Sequence, residues 1–121
     1  MRIIWSQSRA FNANNLETVP NRAGVYLLWA KQAGTSWRTF YVGSVDDLQS
    51  ALRRHLTTSE PNTDIRLKVT RCVTGFACSM QPDPEVRHRV AKFLYDYYRP
   101  ECGSSPIPAD TDQVSVNLPA A

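Results

Sequence analysis

The chain has 121 residues, of which 42% are hydrophobic and 21% are charged. This length and composition are those of one ordinary globular domain, and no apolar run approaches the roughly 18 residues of a membrane span. The beginning of the chain turns polar at Ser6 instead of continuing as a secretory leader. We therefore expect a soluble, cytoplasmic protein that has no membrane partner.

Charge is unevenly distributed along the chain. Residues 1–99 contain all 14 Lys and Arg and 8 of the 11 Asp and Glu, a net charge of +6, whereas residues 100–121 carry −3. A body with this excess of positive charge attracts polyanions, although charge alone specifies neither a fold nor a sequence preference. Nucleic acid is therefore an expected class of partner.

The three cysteines, Cys72, Cys78 and Cys102, are odd in number and include no CxxC pair. This pattern argues against a disulfide framework and against a zinc site. We predict three free, neutral thiols and no metal ligands among them.

The predicted elements begin with a short strand at residues 2–5 and a polar loop at residues 6–15. Two apolar runs rich in β-formers follow, at residues 25–29 and 39–42. The polar segment 31–36 between them contains the Gly and Ser of a turn. The two runs predict an antiparallel hairpin.

Two helices and a further strand are predicted after the hairpin. Segment 44–47 offers an acidic N-cap for a helix of about ten residues with apolar side chains at helical spacing. Strict apolar-polar alternation predicts a half-buried strand at residues 65–73, and residues 75–81 are ambiguous. The last helix begins at Pro84 and ends before Pro100.

Two tripeptides mark the hairpin, Gly24-Val25-Tyr26 in its first strand and Tyr41-Val42-Gly43 in its second. A helix containing His55 follows, and a later helix ends in Tyr98-Arg99-Pro100. Together these features resemble the GIY-YIG nuclease family, over about residues 16–103. The resemblance implies an α/β fold of the α+β type, with a small antiparallel sheet of about three strands flanked by helices.

We place the GIY-YIG-like domain at residues 1–103 and a C-terminal tail at residues 104–121. The tail is rich in Ser, Pro and Ala, and only residues 113–118 could form a last strand. We expect much of this tail to be mobile.

The resemblance also implies roles for individual side chains. The family's two tyrosines lie in its active site, which makes Tyr26 and Tyr41 candidate catalytic residues. His55 matches a histidine found in many members, and Arg54 is the nearby arginine that could contact a phosphate. A phenol can act as a base only where a cation or metal stabilises the phenolate.

Three polar positions of the family pattern are empty here: the asparagine often found three residues after Pro100 is Gly103, and the other two are catalytic positions. The arginine expected ten residues after Tyr41 is Ala51, and the metal-binding glutamate expected nine residues before Pro100 is Ala91. Metal-assisted phosphodiester hydrolysis needs a carboxylate to hold the ion and a cation to offset charge on the phosphate. We therefore expect a catalytically degenerate domain that binds nucleic acid, DNA in particular, or a protein partner, and that has no cofactor.

The alternative is an active, metal-dependent DNA endonuclease with a rearranged site. Arg54 would replace the missing arginine, and Mg²⁺ would be held by another carboxylate, for which the candidates are Asp83, Glu85 and Glu101. Whether the protein is an enzyme stays open at this point.

Basic side chains on both predicted helices are the candidates for contact with nucleic acid. Arg53 lies on the first helix, and Arg87 and Lys92 lie on the last one. Charge of this kind is also typical of a solvated helix surface, so the three residues are hypotheses to be placed in the structure.

Overall fold

The computed structural model describes residues 1–31, 36–57, 60–102 and 114–119. Within these ranges the chain forms an α+β fold in which helices cover both faces of a four-stranded antiparallel sheet of order β1-β4-β2-β3. The strands are β1 (Arg9–Ala10), β2 (Gly24–Lys31), β3 (Arg38–Val45) and β4 (Val73–Met80), and the helices are α1 (Ala13–Leu16), α2 (Leu48–His55), α3 (Thr63–Arg71) and α4 (Pro84–Tyr98). The predicted fold class is confirmed, with four strands where about three were expected.

The predicted hairpin is formed by β2 and β3, with Tyr26 directly opposite Gly43. A Cβ atom at position 43 would overlap the ring of Tyr26, and one at Gly24 would overlap the backbone oxygen of Ser79 on β4. Both glycines of the two tripeptides are therefore required by close packing. Residues 32–35, most of the predicted turn, lie outside the described residues.

Alternate residues of β2 enter two separate hydrophobic cores. One core contains Tyr26 and Leu28 and is covered by α1, α2 and α3. The other contains Val25, Leu27 and Trp29 and is covered by α4. The two helices that carry the sequence candidates, α2 and α4, thus pack on opposite faces of the sheet.

The two helices predicted from their caps are present. The side chain of Asp47 accepts a hydrogen bond from the Ser50 N–H at 3.1 Å, and Asp83 caps α4 by accepting from the Glu85 N–H at 2.9 Å. Helix α4 ends at Arg99, whose φ of 48° lies in the left-handed region that favours glycine.

The strand predicted at residues 65–73 is wrong, because residues 63–71 form α3. The Asn62 side chain caps this helix by accepting from the Asp64 and Ile65 N–H groups. Ile65, Val69 and Cys72 pack against the Tyr26 core at helical spacing, and the alternating Leu67 is left exposed. The apolar residues of this segment therefore fit both a strand and the buried face of a helix, and the cap at Asn62 favours the helix.

Strand β4 falls where the sequence was ambiguous. It pairs with both β1 and β2 and is covered on both faces, so its six central residues are buried and show no alternation. The strand predicted at residues 2–5 is wrong. The first pairing comes instead at Arg9–Ala10, within the predicted loop 6–15, which also holds most of α1.

Residues 114–119 belong to the predicted tail but pack against the beginning of the chain. The Asn117 side chain accepts from the Ile3 N–H at 2.7 Å and donates to the Ile3 carbonyl at 2.9 Å. Val116 is buried in the α4-side core. Residues 114–118 form no strand, whereas residues 103–113 lie outside the described residues, so the domain boundary stays a prediction.

None of the helices in the described ranges is long and apolar enough to cross a lipid bilayer, and the longest, α4, has 15 residues. The three cysteines form no disulfide, as predicted. Burial raises the pKa of the Cys78 thiol, and it raises that of Cys102 to about 11, so these two thiols are neutral at neutral pH.

Candidate functional site

A buried chain of hydrogen bonds links three side chains on the α2 side of the sheet. The Tyr26 hydroxyl lies 2.7 Å from His55 Nε2, and His55 Nδ1 lies 2.7 Å from Glu60 Oε2. All three residues are buried, and Glu60 is only 3% exposed. We call these three residues the Tyr26 network.

Each member of the network is held by a different element. Tyr26 projects from β2 toward α2, and His55 is the last residue of α2. Glu60 precedes α3, and its second oxygen, Oε1, accepts a hydrogen bond from the Asn62 N–H at 3.1 Å. Since Asn62 also caps α3, the position of the carboxylate is tied to the start of that helix.

The protonation states of the network follow from burial. Burial is the main cause that lowers the pKa of His55 below its ordinary 6.5, so its imidazole is neutral at neutral pH. In the tautomer that carries its proton on Nδ1, His55 donates to Glu60 Oε2 and accepts from the Tyr26 hydroxyl at Nε2. Burial also raises the pKa values of Tyr26 and Tyr41 above 10, which disfavours either phenol as a base.

Two more sequence candidates border the network. Tyr41 is half-buried, and its ring meets that of His55 edge-on with the centroids 5.0 Å apart. The Arg54 side chain is 55% exposed, with its Nε 3.8 Å from Glu60 Oε2. The four predicted catalytic residues, Tyr26, Tyr41, His55 and Arg54, therefore meet in one place.

Glu60 is the member of this cluster that sequence reasoning missed. The family resemblance implies a carboxylate in the last helix, whereas Glu60 lies in the connection between α2 and α3. The usable signal was a lone acid five residues after His55, directly before Pro61 and the capping Asn62. That spacing becomes informative only once residues 63–71 are known to be helical.

The residues present do not fit a catalytic Mg²⁺. Both Glu60 oxygens are engaged by groups of the protein. Among the described residues no group of three or more His, Cys, Asp or Glu side chains could hold a metal ion. The carboxylates named for a rearranged site are used elsewhere: Asp83 caps α4, Glu85 lies 3.9 Å from Arg89, and Glu101 lies 2.8 Å from Lys68.

The two alanines at the family's catalytic positions lie on opposite faces of the sheet. Ala51 is buried in the core that contains Tyr26, whereas Ala91 is buried in the α4-side core. A carboxylate at position 91 would enter an apolar environment on the far side of the sheet from Tyr26. Arginine at position 51 and glutamate at position 91 would therefore not by themselves form one site.

The three candidates for nucleic-acid contact separate in the structure. Arg53 is exposed in the last turn of α2, beside Arg54. Arg87 is buried, and its guanidinium donates to the Gln81 carbonyl at 3.1 Å and to Asp46 at 3.0 Å. This corrects its expected role, because Arg87 joins α4 to the β3–α2 turn instead of facing solvent. Lys92 is largely buried and lies 3.1 Å from Asp96.

Comparison of the chain with protein-family models, with curated proteins and with solved structures gives no match. The likeness to GIY-YIG nucleases therefore rests on the sequence pattern stated above. What the domain does has to be argued from its own geometry.

Proposed function

We propose that the chain is a catalytically degenerate, GIY-YIG-like domain that binds nucleic acid, DNA in particular, without cleaving it. The observation that carries the proposal is the state of Glu60, the carboxylate in contact with His55. It is buried and hydrogen-bonded on both oxygens, so it is not open to an ion or to a water molecule. Glu60 therefore does not support metal-assisted hydrolysis, which needs an accessible carboxylate.

The binding part of the proposal is supported by charge and exposure. Arg53 and Arg54 are adjacent and exposed at the end of α2, and Tyr41 lies close to Arg54. Guanidinium groups pair well with phosphate oxygens, and residues 1–99 have a net charge of +6. We expect these two arginines to contact the nucleic-acid backbone.

The test is the affinity for a fluorescein-labelled 20-base-pair DNA duplex, measured by anisotropy at several salt concentrations. Replacing Arg53 and Arg54 together by Ala should weaken binding about tenfold and reduce the salt slope by about two. The matched control replaces Arg2 and Arg9, two exposed arginines away from α2, and should have a much smaller effect. Equal losses in both variants would show that the end of α2 is not a contact.

A metal-dependent DNA endonuclease is the second candidate function. Tyr26, Tyr41 and His55, which the family resemblance implies for a site, lie together, and this favours it. Arg54, which would replace the missing arginine, lies beside them. It requires a carboxylate that can reach an ion, and Glu60 in this arrangement does not provide one. Cleavage assays with Mg²⁺ or Mn²⁺ distinguish the two candidates.

A further inference from the structure

The chain's exposed aromatic side chains lie together, far from the Tyr26 network. The three tryptophans, five tyrosines and four phenylalanines all fall within the described residues, and only Trp37 and Tyr97 are exposed, at 43% and 59%. Both side chains line one cleft of about 440 Å³. Buried aromatic residues need no partner to explain them, whereas two exposed rings in one cleft do.

The cleft is formed by elements on the α4 side of the sheet. Trp37 precedes β3, and Tyr97 lies in the last turn of α4, where its ring stacks on Phe93 and meets Tyr98 edge-on. Ala30, which pairs with Arg38 at this end of the hairpin, lies four residues along β2 from Tyr26, about 13 Å away. The cleft is therefore separate from the end of α2.

Cations surround the two rings. Arg38, whose side chain is 79% exposed, and Arg99 line the same cleft. An adjoining cavity of about 300 Å³ shares Arg38 and adds Lys31 and Lys68. Lys31 Nζ lies 5.9 Å from the Trp37 ring. The two cavities are thus lined by four cations, Lys31, Arg38, Lys68 and Arg99, and by one acid among the described lining residues, Glu101. A nucleic-acid backbone would therefore be attracted along both cavities.

Arg99 occupies its place in the cleft at a conformational cost. Its φ of 48° is the left-handed conformation at the end of α4, where glycine is the residue usually found. Glycine would end the helix at this position without that conformational cost, so the helix end does not explain the arginine. Arg99 lines the aromatic cleft, where its charge can pair with an anionic ligand.

We propose that this cleft binds single-stranded nucleic acid, with bases stacked on Trp37 and Tyr97 and phosphates paired with Arg38 and Arg99. Aromatic platforms flanked by basic residues bind single strands, because unpaired bases offer free faces that a duplex keeps inside its own stack. The inference rests on the proposed function, and it adds the substrate class and a second, separate surface. Lys31 and Lys68 continue the path of the backbone into the adjoining cavity.

The experiment compares a labelled 16-nucleotide oligo-dT with a duplex of the same length at one salt concentration. Wild type should bind the single strand at least about tenfold more tightly than the W37A/Y97A variant does, since each stacked base contributes strongly. The control variant I4A/M80A removes exposed apolar side chains elsewhere and should stay within about twofold of wild type. The W37F/Y97F variant keeps two rings and should retain most of the affinity.

The possible outcomes separate the inference about the cleft from the proposed function. If W37A/Y97A binds oligo-dT as tightly as wild type, the inference is overturned. If wild type binds only the duplex, and R53A/R54A alone weakens that binding, the inference fails while the proposed function stands. If neither DNA binds, both fail. Because both rings are exposed, circular dichroism should show W37A/Y97A folded as wild type, so a lost affinity reports the cleft.

Discussion

In the Tyr26 network, each polar side chain is buried and hydrogen-bonded to the next one. In the cleft of Trp37 and Tyr97, the rings and the arginines beside them are exposed, and the local acid, Glu101, is outnumbered by cations. The Tyr26 network thus stabilises the fold, whereas the cleft presents its rings and cations to solvent. If this contrast is right, substitutions in the first region change stability and substitutions in the second change binding.

The largest effect should come from removing the carboxylate of the network. Glu60→Ala leaves the buried His55 N–H and the Asn62 N–H without their acceptor, which should lower the free energy of unfolding by about 2–3 kcal/mol. Urea denaturation measures the change. Glu85→Ala, at an exposed residue in the first turn of α4, is the control and should change stability by less than about 0.5 kcal/mol. Equal stability of the two variants would contradict a structural role for Glu60.

The network should also make stability depend on pH. Because burial holds the pKa of His55 below the 6.5 of the unfolded chain, the unfolded state binds the proton first as pH falls. The stability that a neutral His55 contributes is therefore complete above about pH 6.5 and declines as pH falls below that value.

The measurement is urea denaturation at pH 7.5 and pH 5.5 for wild type, His55→Gln and His88→Gln. His88 is exposed, so its substitution should leave the pH dependence of wild type unchanged. His55→Gln should flatten it. A wild-type dependence that survives in His55→Gln would place the titrating group elsewhere.

At the cleft, neutralising the acid that pairs with the cations should strengthen binding. Glu101 lies 2.8 Å from Lys68 and 3.8 Å from Arg38, and its hydrogen bond raises the pKa of Lys68. Glu101→Gln should free both cations and tighten binding of oligo-dT about threefold. Glu17→Gln removes an equal charge at an exposed position elsewhere. The same gain in both variants would indicate a nonspecific effect of net charge.

The smallest effect should be found at Arg99, where stability and binding should move in opposite directions. Arg99→Gly relieves the left-handed backbone and should raise the free energy of unfolding by about 0.5 kcal/mol. The same variant loses a cation of the cleft and should bind oligo-dT more weakly. Urea denaturation and anisotropy measure the two changes. Unchanged affinity would remove Arg99 from the binding surface.

The hairpin, α2 and α4 could be predicted because their signals are local, such as the apolar runs and the caps at Asp47 and Asp83. Helix α3 could not be predicted, since its apolar residues fit the periodicity of a strand and of a helix, and the cap at Asn62 decides between them. Strand β4 could not be predicted either. Both of its faces are covered, so its sequence shows no alternation of apolar and polar residues, and that covering is set by the tertiary fold.

Residues of the candidate site could likewise be predicted where their signals are local, and could not where they depend on tertiary contacts. The tyrosines and His55 were found from the tripeptides and the helix that follows them. Glu60 reaches His55 only through the turn into α3, and Arg87 is buried by its pairing with Asp46, 41 residues away. The cleft of Trp37 and Tyr97 joins the beginning of β3 to the end of α4, so no local pattern indicated it.

Whether the protein binds DNA without cleaving it, as we propose, can be decided in a single-turnover assay with the protein in excess over DNA. Labelled single-stranded, duplex and branched DNA are saturated with protein, as shown by anisotropy, and then incubated with Mg²⁺ or Mn²⁺. We expect bound, full-length DNA at every time point, for wild type and Tyr41→Phe alike. Cleavage that stops on adding chelator and is lost in Tyr41→Phe would contradict the proposed function and would place Tyr41, which borders the Tyr26 network, in an active site.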